Sequence, residues 1–119
     1  MTADELTPGL IVEVDLPPTW DGSGLAGTHP VVVLGICSQT GYAFGVACTS
    51  NPHCRGKTYC LSRDATGLPR DSYVLVTRIR DLEPGLVRRA RRLGRVPGAL
   101  YQELKDRTRA ALRRRNLLA

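Results

Sequence analysis

Gly27-Thr28-His29-Pro30-Val31-Val32-Val33-Leu34 is the stretch that decides how the chain is read. A glycine opens it, a histidine and a proline follow, and an apolar run closes it, with Ile36 just beyond. The run is β-branched, bounded by glycines and too short for a helix of ordinary length, so it reads as a loop turning a corner into a central strand. Any chemistry is expected near His29, at the mouth of that strand.

Working outward, Leu10, Val12, Val14 and Leu16 alternate with Glu13 and Asp15, the pattern of a half-buried strand. Pro17-Pro18 ends it, because proline donates no ladder hydrogen bond. The residues from there to Gly27, punctuated by Gly22 and Gly24, form a loop long enough to be a lid or binding arm. Trp20 in that loop reads as an anchor on the core. On the other side Gln39-Thr40-Gly41 makes a tight turn into a strand from Tyr42 to Thr49. There Tyr42, Phe44, Val46 and Cys48 share one face and Ala43, Gly45, Ala47 and Thr49 the other. The face of small residues is expected to leave room for a ligand, and Thr49 and Ser50 stand at the strand end, where side chains reach a cleft.

Asn51 to Gly56 reads as a loop, Lys57 to Leu61 as a short edge strand, and Gly67 to Ser72 as a turn. From Tyr73 to Arg80 the alternation returns, putting Arg78 and Arg80 on one side. Two such arginines make a compact positive site, or protect an edge strand from aggregation. Beyond Asp81 the period becomes helical. Pro84 to Leu93 is expected to be a short basic helix stopped by Gly94, and Pro97 opens a longer one. Leu100, Tyr101, Leu104, Thr108, Ala111 and Leu112 form its docking face, while Arg113-Arg114-Arg115 near its end suit the macrodipole. The whole is mainly β with α: a small bent barrel of five or more short strands (about residues 8–82) and a helical part (about 84–115), in one domain spanning 1–119.

An apolar content of 42% is that of a globular chain, and no run approaches the length of a membrane span. Met1-Thr2-Ala3-Asp4-Glu5 lacks the basic and apolar regions of a secretion signal, so a cytoplasmic location is expected, with the four cysteines as free thiols. Charge is uneven. Residues 1 to 60 carry two basic against five acidic side chains, and residues 61 to 119 carry fifteen against six. That basic half is a candidate surface for phosphates or an acidic partner, or the solvated faces of two helices. Cys48, His53, Cys54 and Cys60 are zinc-type ligands close together, yet they form no paired CxxC knuckle and Cys48 alternates with core residues. No metal or other cofactor is expected, and His53 reads as a solvated loop residue.

Several pieces, in order and spacing, resemble the MazF/PemK family of type II toxin-antitoxin endoribonucleases over about residues 8 to 112. They are Pro8-Gly9-Leu10-Ile11-Val12-Glu13-Val14-Asp15, Gly22-Ser23, the stretch from Gly27 to Leu34, Cys48-Thr49-Ser50, and Gly67 to Ser72 leading into Arg78-Ile79-Arg80. The resemblance implies an SH3-like barrel, a homodimer and metal-independent cleavage of single-stranded RNA at short sequence motifs. It also implies a cognate antitoxin whose acidic C-terminal segment lies across the RNA groove. The family's catalytic threonine falls on Thr49, with Ser50 beside it, and its catalytic arginine falls on His29. After Ser23, Gly24-Leu25 stands where many members carry an acidic-amide pair.

Cleaving RNA through its own 2′-hydroxyl needs a proton acceptor, donors for the charge growing on the phosphoryl oxygens, and a proton for the leaving 5′ oxygen. Histidine cannot copy arginine's permanent charge and planar fork, but it serves better as acid or base. One reading is therefore an RNA-binding hydrolase, an endoribonuclease with His29, Thr49 and Ser50 as catalytic residues and Ser23, Lys57, Arg70, Arg78 and Arg80 on the RNA. The other is a catalytically degenerate barrel that binds RNA or a protein partner without cutting, which is what loss of the arginine and the loop pair would leave.

Overall fold

The alternation of Leu10, Val12, Val14 and Leu16 forms strand β1 (Leu10–Leu16), and the apolar run with its histidine corner forms β2 (Gly27–Cys37). There follow β3 (Tyr42–Thr49), β4 (Tyr59–Leu61), helix α1 (Arg63–Thr66), β5 (Ser72–Leu82), α2 (Pro84–Arg89), β6 (Arg91–Arg95) and α3 (Gly98–Leu118). The computed structural model describes residues 1, 5–18, 27–37, 39–50 and 59–118, with the backbone alone for 59, 63, 76–78, 111–112 and 114–118.

The strands make one six-stranded sheet in the order β4-β5-β3-β2-β1-β6, and its pairings are antiparallel. Both faces are covered. Leu10, Val12, Val14 and Leu16 pack with Val31, Val33, Ala43, Ala47 and Leu82, and with Leu86 and Val87 of α2. On the opposite face Ile11, Val32, Val46, Cys48 and Val74 pack with Leu104 of α3. The sheet is curled, since Leu82 of β5 shares a core with β1 although two strands separate them. A second tie agrees: an Arg80 Nη donates to the Pro17 carbonyl at 2.7 Å. In a flat sheet, three steps of about 4.8 Å would hold β5 and β1 roughly 14 Å apart, beyond an arginine's reach. The architecture is a curled half-barrel with a C-terminal helix, as the sequence pattern implies.

The expected helix from Pro84 to Leu93 is corrected. It stops at Arg89, Ala90 is extended (φ −66°, ψ 146°), and Arg91–Arg95 is a strand paired with β1. Without that strand, β1 would present a row of unpaired backbone groups at the sheet edge, and satisfying them outweighs the helical preference of the arginines. Gly94 lets β6 pass close to the end of α1, since a Cβ there would collide with the Thr66 carbonyl. The short helix α1 was not anticipated; Ser62 caps it, its hydroxyl accepting from the Ala65 N–H at 3.3 Å.

The open small face expected on β3 is also corrected. Ala43 and Ala47 are buried in the first core, and Gly45 is small because β2 leaves no room: an added Cβ would lie 2.5 Å from the Val32 carbonyl oxygen. The large residues divide instead. Val46 and Cys48 are buried under α3, whereas Phe44 and Tyr42 remain exposed. The long helix begins at Gly98, with the Pro97 carbonyl accepting from the Tyr101 N–H at 2.8 Å. Leu104 and Thr108 are its buried anchors, and the Thr108 hydroxyl is satisfied by donating to the Leu104 carbonyl at 2.9 Å. The side chains of Ala111 and Leu112 lie outside the described residues.

Candidate functional site

A groove of about 360 Å³ opens where five segments of the chain meet. Strand β2 supplies Thr28, His29 and Pro30, and β1 supplies Glu13 opposite Pro30. Ser50 enters just past the end of β3. The turn before β5 brings Leu68, Pro69 and Arg70, followed by Ser72 on the strand itself. Arg91 and Leu93 of β6 complete the wall.

Local chemistry explains these placements. Gly27 (φ +88°) and Gly67 (φ +81°) take left-handed conformations that suit glycine, one where the chain enters β2 and the other in the turn carrying Arg70. The Leu68 N–H donates to the Thr66 hydroxyl at 3.3 Å and Leu68 is buried, which anchors the turn while Arg70 stays exposed. Glu13 and Arg91 oppose each other across the β1–β6 register, and an Arg91 Nη donates to a Glu13 carboxylate oxygen at 3.0 Å. The Glu13 side chain is 32% exposed and that of Arg91 72%. Among the described lining residues Glu13 is the acid, and it shares the groove with Arg70, Arg91 and His29.

His29, Ser50 and Arg70 are thus brought to one groove. Thr49 is half-buried at the end of β3, opposite Tyr73 and one residue before Ser50, but does not line the groove. Arg80 is turned to the Pro17 carbonyl and stands apart from it. Arg78 belongs to β5, with its side chain outside the described residues; Ser23, Lys57, Trp20, His53 and Cys54 lie wholly outside them. Sequence reasoning missed Glu13 and Arg91 as residues of the groove. Glu13 looked like the solvent side of a strand, and reading residues 84–93 as helix hid Arg91 from its partner.

Cys48 is fully buried, and burial pushes its thiol up to about 12, so it supplies neither a thiolate ligand nor a nucleophile near neutrality. Among the described residues no three His, Cys, Asp or Glu gather to hold a metal ion, and no helix is long and apolar enough to cross a membrane. A second hollow of about 220 Å³ differs in character. Leu34, Phe44 and Ile79 form its floor, with Lys105, Thr108 and Arg109 of α3 at its side.

With this geometry in view, the chain can be placed among known proteins. Residues 7–112 match the model of the PemK-like, MazF-like toxins of type II toxin-antitoxin systems, and the chain belongs to that family. A comparison with curated proteins finds no match.

Proposed function

We propose that the chain is a metal-independent, sequence-specific endoribonuclease of a toxin-antitoxin system, acting on single-stranded RNA in the groove around His29. The observation that carries this reading is the convergence of His29, Ser50 and Arg70, from separate segments, on one groove. In the reaction the RNA 2′ oxygen attacks the adjacent phosphorus and forms a P–O bond while the P–O5′ bond breaks. A 2′,3′-cyclic phosphate and a 5′-hydroxyl result. His29 acts as base toward the 2′-hydroxyl proton or as acid toward the 5′ oxygen, the roles for which imidazole suits best. Arg70 faces the charge that grows on the phosphoryl oxygens, and the Ser50 hydroxyl orients the phosphate, with Thr49 one residue before it holding the end of β3 from which Ser50 projects. Ser23, Lys57, Arg78 and Arg80 extend the RNA path in this reading. Its remaining parts are a homodimer in the cytoplasm, silenced by an antitoxin whose acidic C-terminal segment competes for the groove.

The test is cleavage of mixed-sequence RNA by wild type beside His29→Ala and Thr49→Ala, in the presence of a chelator. Wild type is expected to cut, and His29→Ala to lose about 10² to 10⁴ in rate. Salt-sensitive RNA binding without cleavage between about pH 5 and 9 would replace the enzyme by a non-cutting RNA binder.

A further inference from the structure

A groove built only to hold phosphate has no use for a carboxylate, since a negative charge there opposes the ligand. Yet Glu13 lines this one, half-buried, with Arg70 and His29 on the same walls. Its pairing is incomplete. One carboxylate oxygen accepts from an Arg91 Nη at 3.0 Å, and among the described residues the other has no partner. Arg91, 72% exposed, has donors left after that bond. A carboxylate with accepting capacity and a guanidinium with donating capacity therefore stand side by side, held in register by the β1–β6 ladder. A pair on paired strands is better fixed than one on a loop.

Single-stranded RNA exposes the Watson–Crick edges of its bases to such groups. Guanine presents two neighbouring donors, N1–H and the N2 amino group, and next to them the acceptor O6. The donors suit a carboxylate and the acceptor suits an adjoining guanidinium. Adenine and cytosine each set a ring-nitrogen acceptor beside their amino group, which a carboxylate repels, and uracil flanks its single N–H with two carbonyls. A volume of about 360 Å³ lies in the range of pockets that hold small ligands.

We infer that Glu13 and Arg91 form a guanine-reading subsite beside the proposed cleavage centre, Glu13 accepting from N1–H and the N2 amino group and Arg91 donating to O6. The inference rests on the RNA-cleaving reading above and adds to it the base that the groove selects. Glu13 is a specificity-determining residue here, and the reacting atoms are left to His29 and its neighbours.

The experiment maps cut sites of the full chain on a mixed-sequence RNA, then repeats the cleavage on an oligonucleotide whose guanine nearest the cut is replaced by inosine, which lacks the N2 amino group. Wild-type sites are expected to share a guanine at a fixed position, and inosine there is expected to slow cleavage by about tenfold or more. In Glu13→Ala the fixed guanine and the inosine effect should both disappear, while thermal unfolding confirms a folded protein. A cross-strand pair that only steadied the sheet would shift the melting temperature and leave base preference alone. Cleavage without a shared guanine, or Glu13→Ala keeping the inosine effect, overturns the inference and leaves the RNase reading standing. Absence of cleavage by wild type on any RNA overturns that reading itself, and the inference with it.

Discussion

The two ends of β2 carry opposite surfaces on one strand. Thr28, Pro30, Val32 and Leu34 alternate onto the same face: the first two line the polar groove, Val32 is buried under α3, and Leu34 floors the apolar hollow beside Phe44. His29 carries the parity of Val31 and Val33, which belong to the first core, and still lines the groove at the strand's mouth. Polar and charged side chains thus gather where the strand enters the sheet, with neighbours from β1, β6 and the turn before β5. The far end offers ring and aliphatic surface with Lys105 and Arg109 at its margin. A single run of eight residues sets up both, and the difference lies in what the rest of the chain brings to each end.

The sharpest way to break this contrast is to truncate one side chain at each end. His29→Ala is expected to lower RNA cleavage by about 10² to 10⁴, whereas Phe44→Ala should leave the rate within about threefold. Equal losses from both would mean that the ends are not functionally distinct.

Glycines give the next largest effect. At Gly45 a methyl group would press on the Val32 carbonyl oxygen and on Val31 Cγ1, 2.6 Å away, in a backbone that cannot yield. Gly45→Ala is expected to cost about 1 to 3 kcal/mol in denaturant unfolding. At Gly35 the obstacle is the partly exposed Phe44 ring, which can swing outward, so Gly35→Ala should cost under about 1 kcal/mol. A reversed order would show that the hollow is the more tightly built region.

Cysteines give the smallest signal. Cys37, exposed at the far end of β2, has its thiol lowered by the Thr40 hydroxyl and then by the backbone groups of Thr40 and Gln39. Native-state alkylation followed by peptide mapping should modify Cys37 and spare Cys48 until the protein unfolds. The Cys48 thiol ionises near 9 in an unfolded chain and at about 12 when folded. Its contribution to stability is complete below about pH 9 and is lost as pH rises from there toward 12. Unfolding midpoints at about pH 8 and about pH 10 should therefore differ, and Cys48→Ala should flatten the slope.

Much of this was legible in the residues. The strands around His29, the basic C-terminal half and the docking face of α3 follow from local periodicity, which needs no partner to be seen. Two errors share one cause, because they depend on what another strand does. Ala43 and Ala47 look like an open small face until the curl of the sheet closes on them. Arg91 to Arg95 look helical until the edge of β1 supplies a ladder. In the candidate groove, His29 and Ser50 stand out locally as polar residues at strand ends and Arg70 as a basic residue in a turn, whereas the Glu13–Arg91 pair needs a register between β1 and β6 that no local pattern states.

That pair also bears on synthesis. Glu13 and Arg91 are 78 positions apart, and β6 is the last strand the ribosome releases. A nascent chain that has exposed β1 through β5 carries His29, Ser50 and Arg70 but still lacks one wall of the groove. The groove is therefore complete only after nearly the entire polypeptide has emerged, and the wall that β6 supplies is the last part of it to be fixed.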